Sequence, residues 1–76
     1  MWVKENPMSD VARVTEISAR SKESFTNAIQ IGIERATKTL RGVKSAWVKE
    51  QEVIVGAEGQ IVEYQVNMLV TFVLED

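Results

Sequence analysis

The stretch that decides the fold is Gln60-Ile-Val-Glu-Tyr-Gln-Val-Asn-Met-Leu-Val-Thr-Phe-Val-Leu74. Every even-numbered position from Val62 to Leu74 is apolar or aromatic, whereas the odd-numbered positions mix polar and apolar residues. Side chains alternate between the two faces of a β-strand. The pattern therefore predicts a long strand over residues 60–74 whose even face is buried against another element.

A helix that can cover this even face lies earlier in the chain. Apolar residues recur there at the 3.6-residue spacing of one helix face, at Phe25, Ala28, Ile29, Gly32, Ile33, Ala36 and Leu40. We predict a helix over Lys22–Arg41, with Ser21 as its N-cap and Gly42 ending it. Because glycine weakens a helix, Gly32 within this row indicates a close approach of helix and sheet. Ile31 lies off the row and is a candidate subunit contact.

Two further strands complete the predicted fold. Residues 11–17 are rich in β-branched side chains and predict a first strand, followed by a polar connection over residues 18–21. Residues 43–55 predict a long second strand, which a three-residue turn, Ala57-Glu58-Gly59, joins to the third. The element order is then β-α-β-β. This order predicts an α+β domain in which a three-stranded antiparallel sheet packs on one helix.

The turn also predicts the register of the hairpin. If Gly59 takes the left-handed position of a G1 bulge, Gly56 faces Gln60 and paired residue numbers sum to 116. The odd face then receives Ser45, Trp47, Lys49 and Gln51, with Gln51 nearly opposite Gln65. Glu50 and Glu52 fall at core-side parity, at a sheet end that we expect to be open to solvent. A four-residue loop would reverse this face assignment.

Length and composition exclude several classes of protein. The chain has 76 residues with no cysteine and no histidine, which excludes disulfides, thiolate or imidazole metal sites and His-dependent catalytic triads. We therefore do not expect an enzyme. A domain this small that has neither disulfides nor a thiolate or imidazole metal site is expected to be stabilised as a homo-oligomer. We predict that residues 1–9 form an N-terminal tail and residues 10–76 a single domain.

The charge and hydropathy of the chain limit its partners and location. A net charge of −2 does not favour nonspecific nucleic-acid binding. No apolar run approaches the roughly 20 residues of a membrane span, and the N-terminus lacks the apolar region of a signal peptide. These features predict a cytoplasmic protein that contacts neither nucleic acid nor membrane.

Two groups of side chains are candidates for ligand binding. Trp47 on the odd face is either an anchor of a subunit interface or a platform that stacks on a flat aromatic ligand. Gln65 can donate to and accept from the polar edge of a planar heterocycle, or it can pair with Gln51 across the strands. Glu50 and Glu52 could bind a hard cation such as calcium, or they could belong to a solvated sheet end.

Several segments together resemble the dodecin family over residues 10–75. They are Phe25–Arg41, Tyr64-Gln65-Val66 and Val70–Glu75, with the short first strand and the long second strand around them. The resemblance implies a hollow shell of twelve subunits that sequesters flavin (riboflavin, FMN or FAD) at subunit interfaces. In that family a tryptophan on the second strand stacks on the flavin ring, and a glutamine on the third strand hydrogen-bonds its polar edge. Such proteins store or buffer flavin and are not enzymes.

The resemblance carries over to individual residues unequally. Gln65 matches the family glutamine. Where family members read Leu-Arg-x-Leu-x-Trp-Phe-Glu-Val, this chain reads Leu40-Arg-Gly-Val-Lys-Ser-Ala-Trp-Val48, which puts Ser45 at the stacking position and Trp47 roughly 6.6 Å further along the strand. We expect a flavin site of Trp47, Gln65, Ser45 and Gln51. Ser45 also resembles a branch that lacks the stacking tryptophan and is described as calcium-binding. The alternative is thus a flavin-free assembly that binds calcium through Glu50 and Glu52.

Overall fold

The structure, a computed structural model, describes residues 11–74 of the chain. Its elements in chain order are β1 (Ala12–Ser21), α1 (Phe25–Thr39), β2 (Val43–Val55) and β3 (Ile61–Val73), which confirms the predicted β-α-β-β order. The predicted tail over residues 1–9, together with residues 10, 75 and 76, lies outside the described residues. No helix within residues 11–74 is long and apolar enough to cross a membrane.

The three strands form one antiparallel sheet in the order β1-β3-β2. The strand with the strict alternation, β3, is therefore central. The covered face, by which we mean the face packed against α1, has Val66, Met68 and Val70 of β3 fully buried. The central even-numbered positions of β3 thus lie in the core, as the sequence predicts, whereas Val62 near the turn is exposed.

Gly32 allows the helix to approach the sheet closely. A Cβ atom built at Gly32 would lie 2.5 Å from Met68 Cε and 3.2 Å from Ala19 Cβ, so a side chain at this position would have to displace the flexible end of Met68. Ala28 and Ala36, one turn on either side, are also buried. Small residues along this row of the helix explain how the large side chain of Met68 fits beneath it.

The first strand is longer than predicted, and the polar connection over residues 18–21 is wrong. Ser18 pairs with Asn67 and Ser21 with Tyr64, so the ladder with β3 continues through this segment. Arg20 is exposed whereas Ala19 and Ser21 are buried, which is the period-two alternation of a strand. Residues 18–21 contain no large apolar side chain, so their alternation is absent from the hydropathy pattern and this part of the strand was not predicted.

The helix starts later and ends earlier than predicted. Ser24 is the N-cap in place of Ser21, because its hydroxyl accepts a hydrogen bond from the Asn27 amide at 2.9 Å. The buried hydroxyl of Ser21 instead accepts from the Glu23 amide at 2.8 Å and donates to Asn27 Oδ1 at 2.7 Å. At the other end Leu40 is the C-cap, and the left-handed residue Gly42 (φ 70°) lies in the turn beyond it.

The β2–β3 turn has the predicted form. Gly59 has φ +86°, its amide donates to the Gly56 carbonyl at 3.1 Å, and the Gly56 amide donates to the Gln60 carbonyl at 2.7 Å. Val55 accordingly pairs with Ile61. The three-residue loop is confirmed, and with it the register at the turn itself.

Beyond the turn the register shifts three times: next to the turn, where Val62 of β3 has no partner on β2, between Val48 and Glu50, and between Val43 and Ser45. Pairs from Ile54↔Glu63 to Glu50↔Asn67 sum to 117, whereas Val48↔Met68 and the pairs that follow as far as Ser45 return to the predicted 116. Between them Lys49 is an extra residue on β2, which is a β-bulge. Because side chains alternate along a strand, the offset between Val62 on β3 and Lys49 on β2 places residues 50–54 on the faces opposite those predicted.

Candidate functional site

The outer face is the side of the sheet that points away from α1. Its most exposed large apolar side chain within residues 11–74 is Trp47, which is 69% exposed. Trp47 pairs with Leu69, and Ser45 pairs with Thr71. These pairs confirm the predicted placement of Ser45 and Trp47 on the same face, two residues apart.

The bulge at Lys49 corrects the predicted positions of three site residues. Gln51 pairs with Val66, a buried core residue, and so does not lie opposite Gln65. Glu52 pairs with Gln65, and Glu50 pairs with Asn67. The two glutamates therefore belong to the outer face and not to core-side parity. The prediction assumed an unbroken ladder, whereas an extra residue on each strand, Val62 on β3 and Lys49 on β2, encloses a segment offset by one position and reverses both assignments.

A row of hydrogen bonds crosses the outer face through Gln65. Arg20 Nε donates to Gln65 Oε1 at 2.8 Å, and Gln65 Nε2 donates to Asn67 Oδ1 at 3.3 Å. Asn67 Nδ2 in turn donates to Glu50 Oε1 at 2.9 Å. The oxygen and the nitrogen of the Gln65 amide are thus both engaged, and its plane is fixed by neighbours on either side.

These side chains border an open concavity of about 410 Å³. Its lining residues are Glu50, Gln51, Glu52, Gln65 and Asn67. Gln51 contributes here although its strand partner lies on the covered face. The lining is polar and acidic throughout, which suits a polar ligand edge or a hard cation better than an apolar group.

Charge on this face is unevenly neutralised. Arg20 Nη1 lies 3.6 Å from Glu63 Oε1, and Lys49 Nζ lies 3.3 Å from Glu16 Oε1. Within residues 11–74, Glu50 and Glu52 take part in neither ion pair. The concavity therefore carries negative charge that the neighbouring cations leave uncompensated.

Trp47 does not border this concavity. Its strand partner Leu69 is four residues from Gln65 along β3, a separation of about 13 Å at the usual strand rise. Hydrogen bonding needs about 3 Å and ring stacking about 4.5–7 Å between centroids. The structure therefore places the predicted stacking residue and the predicted edge-recognition residue at two separate positions of the same face.

Sequence reasoning missed two residues of this site. Asn67 has the same odd parity as Gln65 on β3, so the alternation was sufficient to find it. Arg20 was hidden because its segment was predicted as a connection and not as a strand. Its spacing by two from Ser18, beside small residues of opposite parity, is the signal that could have identified it.

Comparison with known proteins gives consistent matches along the chain. The model of the family described as Dodecin matches residues 11–75. The dodecin of Thermus thermophilus is 39% identical over 69 residues, which cover 91% of this chain and 99% of the relative. These matches confirm the resemblance predicted from the sequence.

Solved structures with the same fold are also dodecins. The dodecin from Streptomyces davaonensis superposes with a TM-score of 0.84 at 37% identity, covering 90% of this chain and 98% of that one. The Mycobacterium tuberculosis calcium dodecin superposes with a TM-score of 0.74 at 28% identity, covering 86% and 91%. That protein is described as calcium-chelating, with a calcium-binding site of a novel kind.

Proposed function

The chain belongs to the dodecin family, and we propose that it assembles as a hollow shell of twelve subunits that stores flavin between them. The observation that carries this proposal is the exposure of Trp47, 69% on a face that also presents Gln65. A large aromatic side chain that is this exposed on a rigid sheet is a favourable contact surface for another subunit or for a flat ligand.

Trp47 is the proposed stacking platform. It stands on β2 between Ala46 and Val48, which are paired with the buried residues Val70 and Met68, so its backbone is held by the core. The indole ring can then offer its face to the flavin ring without ordering a flexible segment. Ser45, two residues away on the same face, leaves space beside the indole because its side chain is small.

Gln65 is the proposed recognition residue for the polar edge of the ring. The pyrimidine part of a flavin carries an N–H group flanked by two carbonyls, and a glutamine amide can accept from the first while donating to a second. Gln65 uses both groups already, toward Arg20 and Asn67. A bound ring would exchange these contacts for its own, with no buried group left unsatisfied because this row borders an open concavity.

The separation of these two side chains favours a site shared between subunits. Trp47 and Gln65 are about 13 Å apart along the sheet. A ring that stacks on Trp47 of one subunit is therefore more readily hydrogen-bonded by Gln65 of a neighbouring copy. This arrangement also fits a chain of 76 residues without cysteine or histidine, which holds a ligand and assigns no residue to transform it. We therefore propose storage and not catalysis.

Fluorescence quenching tests the proposal directly. We expect riboflavin or FMN fluorescence to fall as protein is added, because stacking on an indole ring quenches the flavin. Trp47→Ala should weaken this quenching strongly, whereas Trp2→Ala, which removes the other tryptophan, should not. Unchanged fluorescence at protein concentrations far above micromolar would refute flavin storage.

The shell is tested separately by mass. Light scattering should give about 103 kDa, twelve times the 8.6 kDa of the chain. If the site is shared, mixed shells of Trp47→Ala and Gln65→Ala subunits should regain part of the binding that each variant lacks alone. A mass near that of one subunit would contradict both the shell and the shared site.

Calcium binding is the second candidate function, and the corrected register favours it. Glu50 and Glu52 lie on one face with the amide oxygens of Gln65 and Asn67, and all four residues line the same concavity. Carboxylate and amide oxygens are the ligands that calcium prefers. A calcium dodecin is also among the structures with this fold.

Calorimetry distinguishes this candidate from flavin storage. Titration of calcium into chelator-treated protein should release or absorb heat, and Glu50→Gln should reduce the affinity. Glu58→Gln removes an equal charge at the hairpin turn, outside the concavity, and should leave the affinity unchanged. The absence of both heat and thermal stabilisation would rule out a calcium site here.

A further inference from the structure

We propose that Glu50 and Glu52 make the flavin site selective for rings without a phosphate, so that riboflavin binds more tightly than FMN. This inference rests on the flavin storage proposed above and names its ligand class. It depends on the register of β2 after the Lys49 bulge, which brings both carboxylates to the face that presents Gln65.

The first step is proximity. Glu52 is the direct cross-strand partner of Gln65, and such partners have Cβ atoms about 4.5–5.5 Å apart. Glu50 is one position further along the same face and accepts from Asn67, the hydrogen-bond neighbour of Gln65. A ligand whose polar edge meets Gln65 therefore has two carboxylates close to that edge.

The second step is the charge balance. The nearest cation, Arg20, already donates to Gln65 and pairs with Glu63, and Lys49 already pairs with Glu16. Among residues 11–74, four carboxylates, those of residues 16, 50, 52 and 63, thus lie with two cations on this part of the outer face. The excess of negative charge lies at the concavity itself.

The basic residues of the helix do not correct this balance within a subunit. Arg35 borders a groove between α1 and β1, together with Ile31 and Gly32, on the opposite side of the sheet from the concavity. The sheet therefore separates this positive charge from a ligand on the outer face.

The third step concerns the ligand. Riboflavin carries no charge on its side chain, whereas a phosphate monoester such as FMN carries about −1.5 to −2 near pH 7. A phosphate held beside this concavity is repelled by the two carboxylates, and the repulsion is strongest at low ionic strength, where the screening length reaches about 30 Å at 0.01 M salt. Because the ring is the same in riboflavin and FMN, the difference between their affinities measures the effect of the phosphate on binding.

Glu52→Gln is the matched variant for the test. It removes the charge opposite Gln65 but keeps the length and hydrogen-bonding capacity of the side chain, and Glu52 is exposed. Glu50 is less suitable because its carboxylate accepts from Asn67. Glu58→Gln is the control, since it changes the net charge equally at a position outside the concavity.

The experiment is a pair of quenching titrations, with riboflavin and with FMN, on assembled protein with a chelator present. At low salt we expect riboflavin to bind at least about fivefold more tightly, and Glu52→Gln to narrow this ratio about threefold by strengthening FMN binding. Raising the salt should also strengthen FMN binding while leaving riboflavin unchanged. Glu58→Gln should keep the wild-type ratio.

Equal affinities, or a ratio that Glu52→Gln and salt both leave unchanged, would overturn the selectivity and leave flavin storage in place. Quenching of neither ligand would overturn flavin storage and this inference with it.

Discussion

On the covered face of the sheet, Val66, Met68 and Val70 are fully buried beneath a helix supplied by the same chain. On the outer face Trp47 is largely exposed, and hydrogen bonds between polar side chains fix Gln65 in place. The first face is completed within one subunit, whereas the second presents both apolar surface and polar groups to whatever covers it. The difference separates stability from function: one face makes the fold, and the other is free to bind.

The bulge at Lys49 affects these two faces unequally. Residues 45–48 of β2 keep the register that the core requires, with Ala46 and Val48 opposite Val70 and Met68. Beyond the bulge the strand runs past the end of the well-packed core, where Gln51 and Glu52 are exposed. A change of register is therefore tolerated there, and it decides which side chains line the concavity.

The largest expected effect is on the covered face. Met68→Ala should lower the free energy of unfolding by about 2–5 kcal/mol, because it leaves a cavity under the helix where Gly32 offers no side chain to fill it. Denaturant unfolding measures this change. The loss should be the same at all protein concentrations, since the cavity lies within one subunit.

Leu69→Ala, at the next position of β3 but on the outer face, is the matched comparison. Leu69 is already partly buried in one subunit, so this variant should lose some stability at every concentration, and the loss should grow with protein concentration because assembly adds contacts to this face. If the two variants behave alike at every concentration, the outer face is not a subunit contact.

The same contrast explains what the sequence could predict. The alternation over residues 60–74 identified the covered face correctly because only one of its two parities is uniformly apolar. Gly59 identified the turn because that position requires a positive φ. Gly32 identified a close approach of the helix because a larger residue there would displace the end of Met68.

The bulge could not be predicted in this way. Residues 49–52, Lys-Glu-Gln-Glu, are all polar, so a shift by one position exchanges a polar residue for a polar residue and leaves no trace in the hydropathy pattern. The faces of Trp47 and Gln65 were predicted because apolar neighbours fix their parity. The faces of Glu50, Gln51 and Glu52 were not, because nothing buried constrains them.

An intermediate effect is expected from deleting Lys49. Since Lys49 is the extra residue, its deletion should leave Glu50 opposite Asn67 and Glu52 opposite Gln65 in an unbroken ladder. We expect stability to change by about 1 kcal/mol or less, the size of a lost surface ion pair. Cross-strand NOEs between these partners measure the register.

Lys49→Ala is the control for the deletion, because it removes the ion pair with Glu16 but keeps the extra residue. Both proteins should give the same cross-strand partners. NOEs that place Gln51 opposite Gln65 in the deletion variant would contradict this prediction, because they would show that the pairing of residues 50–54 requires the extra residue.

The smallest expected effect comes from Glu16→Gln, which removes the ion pair that spans the outer face from β1 to Lys49 on β2. Both side chains are close to half exposed, so in a subunit open to water the loss should be about 0.2–1 kcal/mol and should vanish in high salt. Glu34→Gln is the control, because Glu34 is an exposed helix residue that makes no ion pair within residues 11–74. A loss well above 1 kcal/mol that persists in salt would contradict an exposed ion pair at this position of the outer face, since only an ion pair shielded from solvent escapes screening. The two faces would then differ less than they do in one subunit, because assembly would bury the outer face as the helix buries the covered one.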